Sequence, residues 1–134
     1  MYTFKKEERL CSKKLLDELF HNGSSFLLYP YRIVWLRHAL PFEVPVQVVI
    51  NVPKRRFKKA VHRNLIKRRI REVYRLNKSE SLYSFLQSHS AQLLLGIQYV
   101  GKDIAGYELI EKKLKLALLQ LELAFLKNYP EITR

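Results

Sequence analysis

The sequence is poor in several residues that carry structure or chemistry in other small proteins. It has one cysteine in 134 residues, which excludes an internal disulfide and favours a reducing, cytoplasmic location. Only four glycines are present, and they form no glycine-rich phosphate loop. Apolar runs reach about five residues, against the roughly 20 that span a bilayer, and no signal-peptide pattern is visible. We therefore expect neither a membrane protein nor a secreted one.

Acidic residues are scarce as well. The chain has 12 Asp and Glu against 25 Lys and Arg, which gives a net charge of +13. The acids are scattered, whereas a protein-based two-metal nuclease needs clustered carboxylates. The four histidines and Cys11 also lack the spacing of a zinc site. We predict no catalytic residue and no metal site on the protein, and the excess positive charge indicates a polyanionic partner, nucleic acid before a membrane surface.

The positive charge is concentrated in residues 54–75. This segment carries +10 of the total, with Glu72 as its one acid, so the remainder of the chain is nearly neutral. Its basic residues are Lys54, Arg55, Arg56, Lys58, Lys59, Arg63, Lys67, Arg68, Arg69, Arg71 and Arg75. The function is therefore expected in this segment.

The pattern of apolar residues, caps and breakers predicts an α+β fold. The expected elements are a helix from Ser12 to the Asn22-Gly23 stop, strands 31–38 and 46–52, a helix over 58–77, a short helix over 80–88, a strand over 92–100 and a helix over 107–127. This order, α-β-β-α-β-α, corresponds to one domain over 1–134, with a core of about 8–127, short tails and helices packed on a small sheet. The short loop between the first two strands predicts a hairpin.

The basic helix predicted over 58–77 has two distinct faces. A helical wheel places Ile66, Ile70, Val73 and Tyr74 toward the core, with Leu65 on the core side. The opposite arc holds Arg63, Asn64, Lys67, Arg68, Arg71 and Arg75. Four of these cations recur every fourth residue, about 6 Å apart, in a row. Like charges at this spacing destabilise an isolated helix, so a polyanion is a better explanation for them than solvation alone.

The last predicted helix has two apolar lines. One is the expected core stripe, formed by Ile110, Leu114, Ala117, Leu118, Leu121 and Phe125. The second line, Leu116, Leu119, Leu123 and Leu126, lies on the opposite side. Two interpretations stay open at this point: additional core contact with the first helix, or a contact with another protein, including weak self-association through this helix.

Residues 52–72 resemble the central segment of the bacterial ribonuclease P protein subunit. That family carries an Arg-Asn-Arg-x-x-Lys-Arg pattern on its central helix, and Arg63, Asn64, Lys67 and Arg68 occupy matching positions. Lys54 and Arg55 resemble the basic pair at the end of its strand. Leu65 departs from the pattern because it replaces the second arginine. The resemblance extends, more weakly, from about residue 8 to about residue 125.

The resemblance implies a function and a fold. The large RNA subunit of such an enzyme removes the 5′ leader of precursor tRNA, using Mg²⁺ held by RNA and substrate, and the protein contributes no catalytic residue. The implied RNA-binding residues are Lys54, Arg55, Lys58, Lys59, Arg63, Asn64, Lys67, Arg68, Arg71 and Arg75. The implied leader cleft contains Phe20, Tyr31 and Asn51, with Trp35 as a further stacking surface. The implied fold is like the second domain of ribosomal protein S5, with a left-handed β-α-β crossover.

Two other functions fit the charge. A structural RNA-binding protein, of ribosomal or RNA-chaperone type, would bind RNA with the same salt sensitivity and take no part in cleavage. A DNA-binding module could place the basic helix in a major groove, but the sequence shows no helix-turn-helix partner. The expected partners are therefore the catalytic RNA and precursor tRNA, with no membrane.

Overall fold

The computed structural model describes residues 4–129, which form one four-stranded sheet with helices on both faces. The elements are a 3₁₀ turn at Lys6–Glu8, α1 at Lys13–Asn22, β1 at Ser24–Leu28, β2 at Tyr31–Arg37, β3 at Val46–Asn51, α2 at Ala60–Lys78, a π-helical turn at Ser79–Tyr83, α3 at Ser84–Ser88, β4 at Leu93–Tyr99 and α4 at Tyr107–Asn128. The α+β class is confirmed. The outermost residues of the predicted tails, 1–3 and 130–134, lie outside the described residues.

The strand pairing corrects the sequence-based expectation. The order is β1-β2-β4-β3, in which β2 is antiparallel to both neighbours and β3 is parallel to β4. The hairpin predicted between β2 and β3 is wrong, because β4 lies between these strands. The hairpin that exists joins β2 to β1, a strand that the sequence analysis missed. The parallel β3–α2–β4 unit is present, and its left-handed sense stays a prediction.

The main core lies between the sheet and the helices α2 and α4. On α2 the inward residues Ile66, Ile70, Val73 and Tyr74 are fully buried, as the wheel predicted, whereas Leu65 is half-buried. All six residues of the predicted α4 core stripe are buried too. Because side chains alternate along β2, β3 and β4, every second one points into this core, including Ile33, Val48 and Ile97.

Helix α1 packs on the other face of the sheet. Its N-cap is Ser12, whose Oγ accepts a hydrogen bond from the Leu15 amide at 3.3 Å. Its C-cap is Gly23, which has an ordinary extended φ of −77°. A Cβ at this position would lie 2.5 Å from the Leu19 carbonyl oxygen and 2.9 Å from that of Trp35. The glycine is therefore required by close backbone approach rather than by a left-handed conformation.

The helical path of α2 continues past its last residue. The backbone stays helical through the π-helical turn at Ser79–Tyr83 into α3, so the short helix predicted over 80–88 is an extension of α2. At this end, buried Lys78 pairs with buried Glu8 of the 3₁₀ turn. The pair fixes the N-terminal segment, which then runs beside the free edge of β3, where the Leu10 amide donates to the Val48 carbonyl at 2.9 Å.

Candidate RNA interface

The outward face of α2 presents several cations that have no acidic partner within residues 4–129. Arg68, Arg71 and Asn64 are exposed, Lys67 is half-buried, and none of the four forms a hydrogen bond or an ion pair within residues 4–129. Their side chains lie on the helix side opposite the buried Ile66 and Ile70. Arginine is well suited to phosphate because its planar fork donates two parallel hydrogen bonds. This face can therefore bind a polyanionic backbone without first breaking internal contacts.

Three other arginines of α2 already have partners. Arg63 donates through Nη1 to the carbonyls of Phe57 and Lys58, at 2.8 and 2.9 Å. Arg69 donates to the Ala105 carbonyl at 2.6 Å, which ties α2 to the turn before α4. Arg75 forms a two-pronged pair with Glu72, at 2.7 and 3.2 Å. The hydrogen bonds of this pair lower the pKa of Glu72 and raise the pKa of Arg75.

The loop between β3 and α2 extends the basic surface. Its cations Arg55, Lys58 and Lys59 are exposed and Lys54 is also on the surface, as the resemblance implied, while Phe57 is buried among them as an anchor. The contacts from Arg63 hold the backbone of this loop against the first turn of α2. Arg63 therefore shapes the loop as well as contributing charge, a role that the sequence pattern did not reveal.

The sheet face that carries α1 is only partly covered. Helix α1 packs on Val34, Leu94 and their neighbours. Beyond its end, one row of side chains crosses all four strands in register: Leu27, Arg32, Gln98 and Asn51. Leu27, Arg32 and Asn51 are exposed and Gln98 is half-buried. Since neighbouring strands lie about 4.8 Å apart, the row is roughly 14 Å long. We call these four residues the open row.

Phe20 lies at the boundary between α1 and the open row. Its side chain is 45% exposed, and its ring covers Gly96 of β4, where a Cβ would lie 3.3 Å from the ring. Gly96 therefore lets the ring lie directly on the strand. The residue two positions further along β4, on the same face, is Gln98 of the open row. Phe20 thus presents an aromatic surface beside a line of amide and guanidinium groups.

Two of the aromatic residues implied for the leader cleft are not accessible. Tyr31 is fully buried on the α2/α4 side of the sheet, and its hydroxyl donates to the Ile110 carbonyl at 2.9 Å. Burial raises the pKa of Tyr31, which stays a neutral donor. Trp35 is on the same side and is 3% exposed. The assignment of either ring as a stacking surface was wrong, because both point into the core.

The open row contains two residues that the sequence analysis missed, Arg32 and Gln98. Each is a polar residue that interrupts an otherwise apolar strand, and that interruption was the available signal. Only the strand register shows that they share a line with Asn51. The Nη2 atom of Arg32 donates to the Ser25 hydroxyl at 3.4 Å, which orients the guanidinium along the sheet surface.

The basic surface and the open row meet at one end of the sheet. Asn51 is the last residue of β3, and the basic loop follows within three residues. Along the free edge of β3, Arg71 of α2 and Arg9 line a hollow of about 150 Å³ beside Val48 and Ile50. The guanidinium of Arg9 lies over a neighbouring phenylalanine ring, 5.4 Å from its centroid. Arg9 and Arg71 therefore place two cations at the β3 edge, between the open row and the outward face of α2.

Metal-binding chemistry is not built into this surface. Within residues 4–129, no three His, Cys, Asp or Glu side chains lie close enough together to hold a metal ion. The polar groups of the open row are two amides and a guanidinium, which lack the carboxylates that Mg²⁺ prefers. In the same part of the chain, none of the helices has the length and apolar character needed to cross a membrane.

Comparisons with known proteins identify the family to which this chain belongs. The family described as Ribonuclease P matches residues 4–97. The ribonuclease P protein component of Porphyromonas gingivalis is 28% identical over 120 residues, which cover 90% of this chain and 87% of that protein. The component of Petrotoga mobilis is 39% identical over 77 residues, covering 58% of this chain and 62% of that protein.

Solved structures show the same fold. The RNase P protein of Staphylococcus aureus superimposes with a TM-score of 0.64 at 20% identity, over 87% of this chain and 95% of that one. The RNase P protein of Thermotoga maritima gives a TM-score of 0.67 at 19% identity, over 84% of this chain and 96% of that one. The family match spans most of the chain, so the chain belongs to the bacterial ribonuclease P protein family, as the protein subunit of the ribonucleoprotein endoribonuclease that matures the 5′ end of tRNA.

Proposed function

We propose that this subunit uses two adjacent surfaces for two RNA partners. The outward face of α2 and the loop before it bind the catalytic RNA, and the open row with Phe20 holds the single-stranded 5′ leader of precursor tRNA. The observation that carries this division is chemical. On α2, Lys67, Arg68 and Arg71 have no partner among residues 4–129, whereas the sheet face presents one aromatic ring and a line of hydrogen-bonding groups. The first suits a folded RNA backbone, and the second suits unstacked bases.

The side chains of the open row suit a single-stranded RNA of variable sequence. Amide and guanidinium groups can donate to base edges or to phosphates, and an exposed phenylalanine can stack on any base. The row runs across the strands for roughly 14 Å, enough for a few nucleotides in an extended chain. Such a surface favours a leader over a paired helix without selecting one leader sequence.

The catalytic ions are bound by RNA and not by the protein. Mg²⁺ supplies the hydrolytic chemistry while it is held by the RNA subunit and the substrate, and the protein orients the leader and neutralises phosphate charge. A small basic subunit that acts on cellular tRNA precursors would work in the cytoplasm. The protein alone is expected to cleave nothing.

Cleavage of 5′-labelled precursor tRNA tests the proposal. At low Mg²⁺, where phosphate repulsion is least screened, adding this protein to its RNA subunit should accelerate release of an intact leader. Protein without RNA should release none. If RNA binds tightly and cleavage by the RNA subunit is unchanged, the protein acts as a structural RNA-binding protein and the leader assignment is wrong.

Phe20→Ala should weaken the holoenzyme's hold on the leader selectively. Loss of one stacked base is worth about 1–3 kcal/mol, so affinity for precursor tRNA should fall by about 5- to 150-fold. Affinity for mature tRNA, which lacks the leader, should stay unchanged. Phe42→Ala is the matched control, because Phe42 is similarly exposed (47%) but lies in the 38–45 loop. Equal losses for precursor and mature tRNA would contradict a leader contact by Phe20.

A further inference from the structure

The second apolar line of α4 is not part of the core. Leu116, Leu119 and Leu123 are 43%, 53% and 60% exposed, and Leu126 is 37% exposed. Leu109 continues this line toward the start of α4 and is 46% exposed, with Lys112 between it and Leu116. The interpretation that this line packs on α1 is therefore wrong. A monomeric protein rarely leaves five leucines exposed along one helix side.

These residues follow a heptad repeat. Their spacing alternates between three and four residues over about two and a half heptads, so Leu109, Leu116 and Leu123 occupy a positions and Lys112, Leu119 and Leu126 occupy d positions. The residues that α4 buries against its own core occupy the b, c and f positions. One face of α4 therefore packs in the core of its own domain, and a second face, with a heptad pattern of leucines, is exposed to solvent.

The flanking charges identify what covers this face. The g positions are Glu108, Lys115 and Glu122, and the e positions are Lys113, Gln120 and Lys127. In a parallel pair of identical helices, each g residue faces the e residue five positions later on the other helix. Glu108 then faces Lys113, and Glu122 faces Lys127, twice each by symmetry. An antiparallel pair would instead bring e positions together, where two of the three residues are lysines.

We propose that the exposed face of α4 is the interface of a parallel homodimer, in which the a and d leucines of two copies form a short coiled-coil seam. The occupant is a second copy of this chain, because the e and g charges are self-complementary when the facing helix has the same sequence in the same direction. Lys112 at a d position weakens the seam and opposes shifted registers. The dimer is independent of the RNA surfaces proposed above.

Sedimentation of the full chain over micromolar to submillimolar concentrations tests the proposal. The apparent mass should rise with concentration from 16.0 kDa toward twice that value. The double variant Leu119→Glu, Leu123→Glu should weaken dimerisation about tenfold or more, since it places charge in the apolar seam. Both side chains are more than half exposed, so circular dichroism should show an unchanged fold. Phe42→Glu, at an exposed apolar residue away from α4, is the control. A wild-type chain that stays monomeric throughout overturns the proposal.

Charge exchange tests the pairing itself. One variant carries Glu108→Lys and Glu122→Lys, and a second carries Lys113→Glu and Lys127→Glu. Each alone should dimerise more weakly than the wild type, because like charges then face each other across the seam. Mixing the two should restore a heterodimer. If neither variant changes the dissociation constant, the e and g positions do not face each other and the seam is wrong.

A disulfide distinguishes the orientation of the helices. In a Cys11→Ser background, Leu126→Cys places the chain's one thiol at a d position, where a parallel dimer brings the two copies of residue 126 together. Oxidation should therefore give a covalent dimer. A mixture of Leu109→Cys and Leu126→Cys chains should cross-link within each type. Cross-links only between the two types would show an antiparallel pair and overturn the parallel arrangement.

Discussion

Replacing Lys67, Arg68 and Arg71 together by alanine is expected to weaken binding to the catalytic RNA by about a hundredfold or more. Each side chain is a cation without an internal partner within residues 4–129, so each is free to contact a phosphate. A hydrogen bond to a charged group contributes about 1.5–3 kcal/mol, and three such losses exceed the roughly 2.7 kcal/mol of a hundredfold change. The slope of log affinity against log salt should also fall by about two to three units.

The same variant should not lose stability. Lys67 and Arg71 belong to a row of like charges at four-residue spacing, which repel one another along the helix. Their removal relieves that repulsion, so the melting temperature should stay constant or rise slightly. Loss of RNA binding can then be assigned to the interface rather than to unfolding.

A charge-matched control separates local contacts from net charge. Lys6, Lys13 and Lys14 are exposed lysines of the 3₁₀ turn and α1, and replacing all three removes the same total charge. This variant should change RNA affinity and salt slope far less. If the two triple variants weaken binding equally, the protein is attracted by its overall charge and the outward face of α2 has no special role.

The parts of the fold that were predictable are those encoded by local periodicity. The six-residue core stripe of α4 and the inward residues of α2 follow directly from 3.6-residue spacing. The polar arc of α2 follows for the same reason, since the two faces of one helix are fixed together. Helix ends were accessible too, because Ser12 and Gly23 act within a few residues of where they stand.

Strand pairing was not predictable in this way. Strand β1, Ser24–Leu28, begins with two serines after a glycine, a composition typical of a turn. The prediction of a hairpin between β2 and β3 was wrong because β4 lies between these two strands in the sheet. Strand β4 begins more than 40 residues after β3 along the chain, so local sequence does not reveal this arrangement. The sequence also did not indicate which face of β2 the helices α2 and α4 cover. Tyr31 and Trp35 were assigned to the cleft from the resemblance, but both lie in the main core.

The buried ion pair between Glu8 and Lys78 was missed for the same physical reason. The two residues lie 70 positions apart, and each looks like a surface residue in its own segment. In the fold, both side chains are almost fully buried. The Tyr83 hydroxyl donates to Oε1 of Glu8 at 2.6 Å, and the Lys5 amide donates to Oε2 at 2.7 Å. The carboxylate therefore joins the 3₁₀ turn, the end of α2 and the π-helical turn.

Glu8→Ala is expected to destabilise the protein by about 3–5 kcal/mol, because it leaves the Lys78 ammonium buried without a partner. The rings of Phe4 and Tyr83, 5.2 and 5.1 Å from Nζ, cannot replace a carboxylate. The total free energy of unfolding of a small domain is about 5–15 kcal/mol. The denaturant concentration at the midpoint of unfolding should therefore fall strongly in this variant. Glu7→Ala is the matched control: Glu7 is exposed, and its loss should cost less than about 0.5 kcal/mol.

A second variant distinguishes the effect of an unpaired buried charge from the effect of lost packing. In Glu8→Leu combined with Lys78→Met, no buried charge remains, so much of the stability lost in Glu8→Ala should return. A double variant that is no more stable than Glu8→Ala would mean that the loss comes from packing and that the unpaired ammonium is not its cause.

The pH dependence of stability gives an independent measure of the same pair. Burial raises the pKa of Glu8, but the hydrogen bonds from Lys78, Tyr83 and the Lys5 amide outweigh it and hold the pKa below its ordinary value of 4.5. The folded protein therefore binds this proton less readily than the unfolded chain does, and the pair stabilises the fold fully above pH 4.5. That contribution should be lost as the pH falls from there through the folded-state pKa. Glu8→Gln should remove this part of the acid dependence of the melting temperature, whereas Glu7→Gln should preserve it.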